Sequence, residues 1–519
     1  MGKQTRRAAP HRRREAAPRS LVLVSAAVAA FALIPLGYVV VYSATLGGHE
    51  IWDLLVRPRM GELLSNTVRL VIGGCLASAV LGVGCAWIVE RTDVPGRAVW
   101  HVLAAAPLAI PAFVNSYAWS SLASGVEGYR GALLVVTLSY FPLVYLPTAA
   151  ALRGLDPALE EVARSLGNTP AWTFVRVVLP QLRPAMIGGA LLVGLHLLAE
   201  FGALQMLRFP TFTTAIYDQY NSSFNSAGAN VIASVLVLCC LVLLMIDLRL
   251  RANRRFARIG SGVLRQAEPA RLGRWRAPVL AGLVLLSSAS LGLPLYSLVR
   301  WLIIGSSTAF PIGEIAEAAG TSVGLGLVAA LITVALSIPV AWLAVRYRTR
   351  RTTTIERSAY IANALPGIVV ALALVTVSIN YLPSTYQTYG LLVAAYAIMF
   401  LPRALVSVRS AVEQSAPVLE DVAHGLGAGR LTTARRVTFP LIAPGIGAGC
   451  ALVFLAVTTE LTATLLLAPI GTTTLATQFW SSSSSVAYGA AAPYALLMVL
   501  ISLPATYLLS RRPSLGGAA

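Results

Sequence analysis

Apolar runs of about 20 residues alternate with short polar segments along almost the whole chain. The runs fall near 21–42, 64–88, 98–121, 131–152, 185–206 and 229–248, then near 278–304, 321–344, 358–380, 388–408, 445–467 and 489–510. A helix rises ~1.5 Å per residue and a bilayer core is ~30 Å thick, so runs of this length are able to cross it. The pattern predicts an all-α, polytopic membrane protein with about 12 transmembrane helices. The first run, Leu21–Tyr42, is longer than a signal-peptide core and reads as a retained span. The arginine pairs ahead of it read as a basic cytoplasmic tail, residues 1–20, rather than a twin-arginine export signal.

The polar segments assign the sides. With the N-terminus inside, the cytoplasmic segments are 89–97, 153–184, 249–277, 345–357, 409–444 and the tail after 510, and these hold most of the arginines. The segment 249–277 alone carries nine, among them Arg254, Arg255 and Arg258. Both termini are therefore expected in the cytoplasm of a multi-pass cell-membrane protein. The basic linker 251–277 divides the chain into a first six-helix repeat, 21–250, and a second, 278–512.

The two parts match in sequence. EEVARSLGNTPAWTFVRVVLPQLRP, Glu160–Pro184, returns as EDVAHGLGAGRLTTARRVTFPLIAP, Glu420–Pro444, with ten of 25 positions identical and no gap. Ala86, Trp87 and Arg91 match Ala341, Trp342 and Arg346, and Pro111 matches Pro366, at an offset of 255. Glu200 matches Glu460 at an offset of 260. Six spans per repeat give both the same orientation, so a pseudo-twofold along the membrane normal is expected. Pro111 and Pro366 are expected to bend or interrupt the third and ninth spans.

Composition agrees with the pattern. Of the 519 residues 57% are hydrophobic and only 12% charged, and mean hydropathy is +0.73. The net charge of +19 sits in the short segments, with no basic stripe interleaved with aromatics, so nucleic acid is not an expected partner and the lipid bilayer is. All five cysteines lie in apolar runs without metal-ligand spacing and read as small buried hydrophobes. The five histidines are scattered, and His196, within an apolar run, reads as a satisfied core polar group. No G-x-x-x-x-G-K-[ST] sequence is present, so the chain is not expected to hydrolyse ATP, and no catalytic constellation is found.

The recurring segments, 156–184 and 416–444, suit docking to a soluble partner. A short helix from Pro157 to Leu166 would carry Glu160 and Glu161 near its positive end, and Gly167 would reverse the chain. Trp172, Phe174 and Val175 would then supply apolar anchors for a groove before Pro180 leads back to the membrane. Each copy resembles the coupling loop of ABC importer permeases, E-A-A, three residues, G, nine residues, I-x-L-P. Here it reads Glu161-Val162-Ala163, Gly167 and Val177-Val178-Leu179-Pro180, then Asp421-Val422-Ala423, Gly427 and Val437-Thr438-Phe439-Pro440. The departures are Val for the first Ala and for Ile in both copies, plus Asp421 for Glu and Phe439 for Leu. The resemblance implies ATPase coupling for Glu160, Glu161, Ala163, Gly167 and Pro180, and for Glu420, Asp421, Ala423, Gly427 and Pro440. It implies two copies of a nucleotide-binding ATPase subunit, which would carry the ATP and Mg, no cofactor in this chain, and an extracytoplasmic solute-binding protein.

Glu200 lies sixteen residues, or ~24 Å of helix, beyond Pro184, in the outer half of the fifth span, and Glu460 is its equivalent. A carboxylate at that depth faces a bundle interior or marks a functional site, or else anchors the outer helix end. The phrases Pro107-Leu108-Ala109-Ile110-Pro111-Ala112, Glu200-Phe201-Gly202-Ala203 and Phe212-Thr213-Thr214-Ala215-Ile216-Tyr217 are similar to the iron(III) branch of such permeases. Hard Fe(III) suits oxygen ligands, with which Glu200, Glu460 and Tyr217 are compatible as pathway residues. Thiamine or another small solute is the alternative cargo. A major-facilitator-type transporter also has twelve spans in two parallel-related halves, but the paired loops speak against it.

Overall fold

The computed structural model describes residues 17–45, 52, 56–123, 125–222, 226–252, 269–308 and 310–510. Residues 1–16 of the basic tail, 253–268 of the linker with their arginines, and the tail after 510 lie outside the described residues. The described residues form helices and turns, with a parallel bridge between Thr92 and Ala270.

All twelve apolar runs are helical, but not all as straight spans. Among the described residues nine helices are long and apolar enough to cross a membrane. The third and ninth runs are bent pairs instead, Arg97–Ala109 with Ala112–Leu122 at 92° and Arg350–Ala364 with Gly367–Tyr381 at 103°. The twelfth is an apolar helix of 23 residues, Tyr488–Ser510. The twelve apolar runs therefore become nine straight spans, two broken ones and the closing helix Tyr488–Ser510.

The breaks follow from proline. A proline forces the residue before it out of helical conformation, and Ile110 is extended at φ −100°, ψ 115°. Pro111 (ψ 142°) and Pro366 (ψ 144°) then start the second arms. Their carbonyls accept from the amides of Val114 and Asn115, both 3.0 Å, and of Val369 and Val370, 3.0 and 3.1 Å. The corners thus carry their own hydrogen bonds, as backbone away from water requires.

The fifth and eleventh runs also end earlier than the apolar pattern suggests. The helices stop at Ala199 and Thr458, and short helices Gly202–Met206 and Thr462–Leu467 follow. Glu200 and Glu460 therefore sit at helix breaks rather than inside spans.

Two compact units cut across the tandem order. One is drawn from Met1–Ile34, Ala329–Asn363 and Ala397–Val453, the other from Pro35–Val328, Ala364–Tyr396 and Phe454–Ala519. In the first, Arg409 pairs with Glu356 and, at 3.1 Å, with Glu413. This ties the first arm of the broken ninth span to the tenth. The second holds an aromatic core in which Phe113, Tyr117, Phe201, Phe479 and Trp480 pack around Leu461. Another of its cores surrounds Cys85, Phe141, Tyr145 and Leu182. The cysteines are free and buried or half-buried, as their apolar setting implies.

Candidate functional site

Both recurring segments fold alike. The helix Ala158–Ser165 starts where the Ala158 amide donates to Asp156 Oδ1 at 3.0 Å, and it carries Glu160 and Glu161 in its first turn. Its counterpart is Pro417–Gly425. Each helix ends in the same cap. The amides of Gly167 and Asn168 donate to the carbonyls of Arg164 (2.9 Å) and Ala163 (3.3 Å). Those of Gly427 and Ala428 donate to His424 and Ala423, both at 3.0 Å. This is the Schellman pattern, which needs a left-handed residue, and both glycines have φ +85°. Space is not the reason for glycine, since a Cβ at either position would meet nothing within 4 Å.

The paired carboxylates divide their work. Glu160 turns inward to Arg91, 3.1 Å away, and Glu420 to Arg346 at 2.9 Å. Both pairs are largely buried, and each fastens its loop to the end of the second span of its repeat or that span's equivalent. Glu161 and Asp421 are exposed instead. Ala163 is buried and Ala423 half-buried against the body of the protein.

A widened turn precedes the return to the membrane in each copy. Phe174–Val178 and Ala434–Thr438 are π-helical, closed by Leu179 N–H to Phe174 O and Phe439 N–H to Ala434 O. Pro180 and Pro440 follow one residue later, after Leu179 and Phe439. A proline has no N–H to give and its ring crowds the carbonyl four residues back, and a π turn accommodates both. Gln181 Nε2 donates to the Val177 carbonyl at 2.8 Å.

Large apolar side chains remain uncovered on these loops. Leu166 is 76% exposed, Leu426 84% and Leu431 83%, with Leu159, Val162, Trp172 and Val175 also exposed in the first copy. Phe174 differs from expectation: its ring packs on Trp87 at 5.5 Å, so it anchors the loop inward.

The breaks after the fifth and eleventh spans form a second paired feature. Glu200 Oε1 accepts from the Ala203 amide at 3.0 Å, and Glu460 Oε1 from the Ala463 amide at 3.1 Å. Each carboxylate thus caps the short helix that follows. Their backbone carbonyls accept from Thr213 (2.6 Å) and Thr464 (2.8 Å). The Tyr140 hydroxyl donates to Glu200 Oε2. Tyr140 is absent from the sequence reading because its counterpart 260 residues on is Phe400. Tyr217 stacks on Phe201 at 4.6 Å, and Phe201 on Trp480 at 5.3 Å. The two breaks meet: a Cβ on Gly202 would lie 2.8 Å from Phe113 Cβ and 3.0 Å from Leu461 Cδ2. Tyr217 and both carboxylate-bearing breaks are therefore gathered around one aromatic core, and among the described residues no three His, Cys, Asp or Glu side chains cluster as metal ligands.

A tandem pair of helical repeats with matched polar loops and broken apolar helices has the build of a membrane permease. The chain belongs to the family of binding-protein-dependent transport system inner membrane components, whose model matches it twice, over residues 78–255 and 337–511. It is 39% identical over 481 residues to the Fe(3+)-transport system permease protein of Haemophilus influenzae, covering 92% of this chain and 95% of that one. A sulfate transport system permease protein of Salmonella typhimurium is 30% identical over 233 residues, which cover 41% of this chain and 84% of that one. A ferric transport system permease protein of Actinobacillus pleuropneumoniae is 21% identical over 412 residues, 75% of this chain and 59% of that one. The family is one of transport permeases rather than enzymes, placed in the inner membrane and working with a solute-binding protein. It excludes the major-facilitator reading.

Proposed function

We propose that this permease imports iron(III) handed over by an extracytoplasmic solute-binding protein. Two copies of a nucleotide-binding ATPase subunit drive it, one seated on each coupling loop. The observation that carries the reading is the shared build of the loops 156–184 and 416–444. Across 260 residues they keep a helix, a left-handed glycine cap, a buried Arg–Glu pair, a widened turn and uncovered apolar side chains. An uncovered amphipathic helix fits a groove on a soluble partner. The ATP and Mg belong to that partner, and this chain carries no cofactor of its own. The arginine-rich segments support cytoplasmic termini, with repeats 21–250 and 278–512 joined by the linker 251–277.

For the cargo, the support is similarity along nearly the whole length to a permease named for Fe(3+), whereas the sulfate relative covers 41% of this chain. Glu200, Glu460 and Tyr217 are the oxygen-bearing side chains offered to a passing hard cation where the two breaks meet. Their capping bonds give the carboxylates a structural duty as well. The test is uptake into vesicles holding the permease with its ATPase and binding protein. ATP-dependent entry of radiolabelled iron(III), without entry of thiamine or sulfate, is expected. Uptake of thiamine or sulfate instead would reassign the cargo, and proton-driven uptake by the chain alone would remove the ATPase.

A further inference from the structure

We propose that Pro269–Leu272, the last stretch of the inter-repeat linker, is a clamp that positions the first coupling loop, with Asp93 as its receiving residue. The proposal rests on the reading of 156–184 as a coupling loop. The linker stretch runs alongside the turn that follows the helix Pro58–Arg91. The Ala270 amide donates to the Arg91 carbonyl at 2.8 Å, and the Asp93 amide donates to the Ala270 carbonyl at 3.1 Å. The Leu272 amide donates to Asp93 Oδ1 at 2.8 Å. Three hydrogen bonds therefore join Arg91 and Asp93 to Ala270 and Leu272, and Arg91 and Thr92 are buried. Leu272 packs into the core that also receives Trp100, Leu155 and Phe174.

The clamped residue is the one that holds the loop. Arg91 reaches Glu160 at 3.1 Å, in the first turn of the coupling helix. Fixing the Arg91 backbone from both sides fixes the root of that side chain, and hence the position at which Glu160 is met. The chain of contacts runs from linker to Arg91, to Glu160, to the helix Ala158–Ser165.

The second repeat repeats the Arg–Glu pair and the turn beside it. The Arg97 side chain donates to the Thr92 carbonyl, and at the matching positions 255 residues on, Thr352 Oγ1 donates to the Tyr347 carbonyl at 2.6 Å. The turn itself is thus conserved within the chain. Thr92–Ala270 is nevertheless the one isolated bridge among the described residues. The first loop is thereby tied to the peptide that leads into the other repeat.

The test uses the full complex of permease, ATPase and binding protein in vesicles. Asp93→Ala removes the acceptor for the Leu272 amide, while Asp93→Asn keeps an oxygen there. Arg348→Ala changes the position of the second repeat that matches Asp93. Two readouts are taken: amide hydrogen exchange of 158–166 against 417–426, and ATP hydrolysed per solute imported. Asp93→Ala is expected to speed exchange in 158–166 about fivefold, the effect of one lost hydrogen bond worth ~1 kcal/mol. Exchange in 417–426 is expected to stay as it was, and ATP per solute to rise several-fold. Asp93→Asn and Arg348→Ala are expected to behave as wild type. Ala270→Pro, which removes the amide given to Arg91, is expected to reproduce the Asp93→Ala pattern and serves if that variant does not assemble. Unchanged exchange in 158–166 overturns the clamp. Faster exchange with an unchanged ATP-to-solute ratio overturns its role in coupling. A wild-type complex in which binding of the ATPase protects neither 158–166 nor 417–426 would instead overturn the coupling-loop reading itself.

Discussion

Gly167 and Gly427 separate conformation from size. Each has open space where a side chain would go, and each has φ +85°. An L-residue in that conformation costs roughly 1–2 kcal/mol, and asparagine tolerates it better than most. Gly167→Asn is therefore expected to keep most uptake, while Gly167→Val loses it with membrane insertion intact, which vesicle uptake and membrane fractionation together would show. The buried Arg–Glu pairs make a second prediction. Removing Arg91 alone leaves Glu160 without its cation, at a cost on the order of 3 kcal/mol. In a thermal-inactivation series Arg91→Ala with Glu160→Ala should lose less than the two single variants added together. The sequence held both halves of this contact, since Arg91/Arg346 and Glu160/Glu420 match between repeats. Nothing in spacing joins residues 69 and 74 positions apart. The charges were visible and the contact was not.

The helices show which breaks a sequence announces. Pro111 and Pro366 restrict the residue before them, and the bends of 92° and 103° appear where the prolines stand. The breaks at Glu200 and Glu460 carry no such sign, because apolar residues continue past them and suggest one long span. A carboxylate that caps the next helix looks the same in sequence as one that lines a path. The π turns were equally silent, since an extra residue per turn leaves the apolar periodicity of the span intact. They do allow a sharp prediction. Deleting Val177 would return the turn to α-helix, and the ring of Pro180 would then crowd the carbonyl four residues back and kink the loop's return to the membrane. The variant is expected to insert in the membrane but not to co-purify with the ATPase at the first loop, and crosslinking from Trp172 measures that.

For the molecule as a whole, the repeat gave the tandem plan, and the packing departs from it. The compact units draw on both repeats, which no comparison of one repeat with the other could reveal. The paired breaks offer a test at this scale. Glu200→Gln and Glu460→Gln retain an oxygen to cap Ala203 and Ala463 while removing charge. The double variant is expected to assemble with normal thermal stability and to lose most iron uptake. Normal uptake would leave the carboxylates with capping alone. Alanine at both sites should also lower stability, since caps are worth ~1 kcal/mol each.

Gly202 carries a consequence of its own. It is wedged between Phe113 of its own repeat and Leu461 of the other, with no room for even a methyl group. A side chain at Gly202 would press on Phe113 and displace the Leu461 side chain, 259 positions away in the same chain. What one repeat carries at this point thus sets the room the other has, and a change of size at Gly202 is felt in both.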